Sequence, residues 1–170
     1  MDAREDLLLK AAPAGLIGSR TEFQAAVRAL IANAHDGGIR HMWWVSPDFG
    51  EWPLDEPATI DALTHWSRLP GARLSWLGQD FEQVRRTMPR LTRWRQVFSH
   101  VITCRSPEVS ASDMPTLLVV DHRLALRLLD RERVRGWLRH DAADVQHAHE
   151  QIDAISQRSS EAFPAVTLGL

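Results

Sequence analysis

Lysine and asparagine are nearly missing from this chain. Lys10 and Asn33 are the single examples of each, against 19 arginines. Beyond its first fifth, the chain therefore has no lysine to offer any site chemistry. Cysteine is also single. Cys104 alone excludes an internal disulfide and suits a reducing compartment. No apolar run approaches 18 residues, so no membrane span is expected. The start, MDAREDLLLKAAPAG, is acidic and lacks the basic flank and apolar core of a signal peptide. Together these absences point to the cytoplasm. A net charge of −2 supplies no field for a generic polyanion binder, although it leaves room for a local basic patch.

What is present is ordinary for a globular domain. Apolar residues make up 44% and charged residues 25% of 170 positions, enough to bury one core without staples. Residues 1–18 read as an N-terminal tail, with Pro13 and Gly15 ending any helix begun at Leu7 to Lys10. Residues 19–170 read as a single domain. Ser19 and Glu22 form a capping box ahead of Phe23, Ala26, Val27, Leu30, Ile31 and Ala34, which share one helical face. Ile39 to Val45 reads as a strand, followed by a loop at Ser46 to Gly50. Helix is expected from Pro57 to Arg68, strand from Ala72 to Leu77, and helix from Asp80 to Phe98 with a break at Pro89. Val101 to Cys104 is a further strand, and Arg105 to Asp113 a loop. Asp141 is expected to cap a long last helix carrying Val145, Ala148, Ile152 and Ile155, with VTLGL as a short apolar tail.

The chain is organised around Met114 to Asp130. Thr116 to Val120 and Leu124 to Leu129 are two apolar runs separated by Asp121, His122 and Arg123, which predicts a β-hairpin buried on both faces. Alternating strands and helices, closed by this hairpin and the last helix, predict an α/β domain with a mixed sheet flanked by helices. A three-layer doubly wound sheet is the alternative, with a crossover in place of the hairpin return.

Strand, Asp, tight turn, strand and long helix resemble the C-terminal half of a phospholipase D-like domain. More narrowly, the chain is similar to an uncharacterised bacterial family of such domains without the catalytic motif. Active members carry His-x-Lys-x4-Asp, followed by Gly-Ser-x-Asn after the second strand. Registered on Asp121, that motif puts Met114 at the His position and Thr116 at the Lys position. The later element falls on Leu128, Leu129 and Arg131. Met cannot attack phosphorus and Thr carries no charge to hold its oxygens. The resemblance therefore implies a decayed enzyme fold kept as a non-catalytic binding or interaction module. It also implies a homodimer. The alternative is a phosphodiesterase-type hydrolase using another site, with Asp121, His122 and Asp48 as its candidates.

Two arginine clusters suggest a phosphate-containing or nucleic-acid ligand. Arg131, Arg133, Arg135, Trp137 and Arg139 recur every second residue, so an extended chain would set four guanidinium groups and a ring on one face. A charged, solvated strand edge explains the same pattern. Arg85, Arg86, Arg90, Arg93 and Arg95 surround Trp94 on the third helical segment. His140, Asp144 and His147 could share a helix face, but they suit the polar first turns of a surface helix better than a metal site. No metal site and no cofactor is expected. Of the seven tryptophans, Trp43 and Trp44 should point to opposite sheet faces; Trp52, in its loop, is the best candidate for exposure and contact with a partner or ligand, although a plug over the core is the favoured reading.

Overall fold

Six helices and eight strands are laid out along residues 2–165, the part of the chain described by the computed structural model. In order they are α1 (Ala3–Ala11), β1 (Gly15–Ile17), α2 (Arg20–Ala32), β2 (His41–Val45), α3 (Pro57–Trp66), β3 (Arg73–Leu77) and α4 (Phe81–Thr87). Then come α5 (Pro89–Val97), β4 (Ile102–Pro107), β5 (Thr116–Val120), β6 (Leu124–Asp130), β7 (Arg135–Arg139), α6 (Ala142–Ser156) and β8 (Ser159–Glu161). The VTLGL segment lies outside the described residues.

All strands join one mixed sheet in the order β1-β7-β6-β5-β2-β3-β4-β8. Neighbours β2, β3 and β4 are parallel, and every other pairing is antiparallel. The chain is thus an α/β protein with helices on both faces of a mixed sheet. Because β6 returns antiparallel beside β5, the doubly wound alternative is excluded.

The central hairpin shows why both faces are needed. Every residue of β5 is buried. Leu118 and Val120 face a cluster that holds Trp44, Trp76 and Phe23, under α2 and α3. Leu117 and Val119 face Val145, Ala148 and Ile152 of α6. Each such side chain contributes about 1.5–3 kcal/mol by leaving water. A bulge between Leu128 and Asp130 then leaves Leu129 70% exposed. Opposite Leu128 stands Gly136, where a Cβ would lie 1.8 Å from the Arg127 carbonyl oxygen. Only glycine fits so close an approach of β6 and β7.

Local signals behave as their chemistry predicts. Ser19 Oγ accepts from the Glu22 N–H at 3.1 Å, while Glu22 reaches back to the Gly18 N–H at 2.6 Å. Trp52 is buried and packs edge-on against Phe23 and Phe49, as a loop plug should.

Four expectations need correction. Residues 3–17 are no tail: they form α1 and β1, with Leu8 and Ala12 in the core and β1 paired antiparallel to β7. Pro13 and Gly15 do end a helix, but the chain continues as a sheet edge. Arg131 to Arg139 is not one extended stretch, because a turn with Val134 at φ 52° precedes β7. Asp141 precedes α6 without a side-chain capping bond. Past that helix, Ser159–Glu161 adds an unforeseen strand beside β4.

A candidate anion-binding pocket at the mouth of the hairpin

β5 runs antiparallel to β2 with Leu117 opposite Val45, so the entry to β5 lies at the exit of β2. This is the sheet end at which ligands of α/β proteins usually bind. A pocket of about 630 Å³ opens here between the segment Ala111–Thr116, the end of β6 and Gln151 of α6. Met114 and Thr116, the positions registered on the motif His and Lys, are both buried in its wall. The Met114 side chain belongs to the apolar cluster under α6, and Thr116 Oγ1 has no hydrogen-bond partner.

The charged group of this pocket is Arg127. It sits in register between Leu117 and Trp137 on the face that α6 covers, and it is only 9% exposed. Its Nη2 donates to Gln151 Oε1 at 2.7 Å, and its guanidinium lies 5.6 Å from the Trp137 ring centre. Burial pushes its pKa below the usual arginine value, against the attraction of the more distant Asp144. Among the described residues no carboxylate forms an ion pair with it. Only Nη2 of this guanidinium has a hydrogen-bond partner among the described residues, so its other N–H donors are open to an anion in the pocket.

Arg131 closes one side of the pocket. Its Nη2 lies 3.0 Å from Asp48 Oδ1 and 3.6 Å from Glu51 Oε1. Asp113, Asp130 and Glu132 also border the opening. The site therefore sets one buried arginine, in contact with no carboxylate among the described residues, beside an acidic rim.

The three residues proposed for catalysis are not brought together. Asp121 and His122 lie in the hairpin turn, at the opposite end of β5 from Asp48 and the pocket. Asp121 has φ 47° and accepts from the backbone N–H groups of Arg40 at 3.1 Å and His41 at 2.8 Å. Its carboxylate ties the hairpin turn to the start of β2. His122 is exposed, its ring 4.3 Å from that of His149. His149, on α6, is buried and hydrogen-bonded to the Asp121 carbonyl at 2.6 Å. His41 Nε2 meets Ser75 Oγ at 2.7 Å. Burial lowers the His41 pKa to about 4, which makes it a weak base for activating a hydroxyl.

Neither arginine cluster forms the expected surface. Trp137 is buried beneath Arg139, whose guanidinium lies 4.4 Å from the ring centre, so no base can stack there. Arg139 pairs with Asp144, and Arg133 in the turn is held near Asp130, while Arg135 is exposed. The second cluster is scattered around its two helices. Arg85 lies over Phe163 near Glu82, Arg86 bonds Gln83, Arg90 reaches Asp55 and Arg93 faces solvent. Arg95 is buried beside Cys104, whose thiol is pushed up to about 12 by burial. Arg127 escaped the sequence reading because it sits inside an apolar run. The available signal was a lone charge inside an apolar run of strand length.

A family model described as a domain of unknown function, DUF7931, matches residues 19–164. No curated protein matches the chain closely enough to count as a relative. Among solved structures, the chain is similar to TrmBL2, described as an archaeal chromatin protein with a novel mode of DNA binding. The TM-score is 0.62 at 12% identity, covering 94% of this chain and 62% of that one. The chain thus spans less than two thirds of that protein, and the likeness is one of fold.

Proposed function

Because the chain belongs to the DUF7931 family, domains of unknown function, we propose its role from the site itself. The reading is a non-catalytic, phospholipase D-like binding module that takes a phosphate-bearing ligand at Arg127. The observation that carries it is a buried arginine, in ion-pair contact with no carboxylate among the described residues, opening on a pocket of about 630 Å³. That pocket coincides with the motif positions, where Met114 and Thr116 supply neither nucleophile nor charge. The acidic rim favours a small ligand with one anionic group over a long polyanion, in keeping with the net charge of −2. Nucleic acid remains within the reading as a strand end or single phosphate, and the fold likeness to a DNA-binding chromatin protein is compatible with that. The phospholipase D-like resemblance, for its part, implies a homodimer.

Arg127→Met separates a ligand site from a structural arginine. Removing a charge without a counter-ion should leave urea stability unchanged or raised. Binding of a nucleoside monophosphate, read by calorimetry, should weaken by about 1.5–3 kcal/mol, the worth of hydrogen bonds to a charged group. Equal affinity in the variant, or no affinity of the wild type for any phosphate-bearing probe, would overturn the reading. Phosphodiester turnover by the wild type would instead restore the hydrolase alternative.

A further inference from the structure

The face of the molecule away from the pocket carries a second constellation, built from residues far apart in the chain. Helices α2 and α3 pack side by side and end at the same side of the sheet. His65 occupies the last turn of α3, and His35 and Asp36 lie in the turn that follows α2. The two imidazole rings stack with centres 3.6 Å apart and planes 27° from parallel. His35 Nδ1 lies 3.0 Å from Asp36 Oδ1. One ligand atom from each of the three residues falls within 4.8 Å of the others.

We propose that His35, Asp36 and His65 form a binding site for a divalent transition-metal ion, with Zn²⁺ as the natural occupant. Two imidazoles and a carboxylate are a donor set that zinc accepts, with a fourth position left to water. Imidazole donors also discriminate against Mg²⁺ and Ca²⁺, which prefer an all-oxygen shell. Three features favour a cation at this place. The carbonyl ends of α2 and α3 both point here, and helix C-termini carry partial negative charge. The His65 ring takes no hydrogen bond from the protein among the described residues, so its nitrogens are open to a ligand. Asp36 is 71% exposed at its side chain and can rotate onto the ion without disturbing the core. Binding requires the rings to splay, because a metal must lie near both ring planes. The ion would then tie the ends of two helices together. No sequence spacing could announce it, since the ligands come from two separate elements.

Calorimetric titration of Zn²⁺ into EDTA-treated, dialysed protein tests the site. A single-site isotherm is expected, together with a rise in melting temperature as the ion binds the folded state. His35→Gln and His65→Gln should each weaken binding by about tenfold or more and abolish the thermal shift. His147→Gln, altering an exposed histidine on α6, should leave both unchanged. Both test substitutions alter surface rings, and far-ultraviolet circular dichroism establishes that the variants fold. Absence of a saturable isotherm in the wild type would overturn the proposal. So would binding that survives His65→Gln, or that His147→Gln reduces equally.

Discussion

His41 couples the fold to pH. Its ring stacks on Trp43 and bonds Ser75, and its pKa falls from 6.5 to about 4. Burial is the largest cause; Arg73, His149 and His122 add to it, and Asp121 opposes it. The unfolded chain therefore binds more protons than the folded one between these values. Stability is full above 6.5, declines as pH falls through that window, and this contribution is gone below about 4. His41→Gln removes the titration while keeping a polar partner for Ser75. Its melting temperature should fall less steeply with acid than the wild type's across the window, whereas parallel curves would show that His41 is not the coupled group. Residue-scale legibility was uneven for a related reason. Asp121 was singled out in the sequence, but its role emerged only with the backbone N–H groups of Arg40 and His41 placed against it. Arg127 was hidden because a strand that buries both faces removes the polar alternation that would mark an inward charge.

At the scale of elements, α1 is the sharpest departure from the sequence reading. Its three leucines are consecutive rather than spaced along one face, and Leu8 alone within the helix is buried. No periodic stripe marks it, because a short helix over an existing core needs a single anchor rather than a face. Leu8 is 1% exposed and Leu7 37%. Leu8→Ala should cost about 2–4 kcal/mol in urea unfolding, as deletion of a core leucine does. Leu7→Ala should stay within about 0.5 kcal/mol, the usual surface range. Equal, negligible effects would make the segment an accessory. The central hairpin and α2 were legible because each carries its own evidence: an apolar run broken by a polar turn, and a cap followed by a helical stripe. β1 and β8 were not, since three-residue strands take their conformation from the neighbour they pair with.

For the whole molecule, the sheet has one long helix, α6, over its second face, packed on β4, β5 and β6. His41, Trp43 and Ser75, on the β2–β3 side of that face, are only partly buried. On the proposed reading a second copy of the chain completes the assembly. Sedimentation at micromolar concentration should show a species of twice the 19.3 kDa chain mass, dissociating on dilution. A species of chain mass alone would count against the homodimer. The strand order has one more consequence, which lies in time rather than in space. β1 leaves the ribosome ahead of β2 to β6, yet its partner β7 follows only after all of them. Likewise β4 must wait for β8. Until β5 emerges, the β2–β3–β4 group therefore has no neighbour to pair with on either side, and β4 lacks its own until β8. Such long-range pairings form slowly. A nascent chain of this kind exposes strand edges to other chains until β8 emerges.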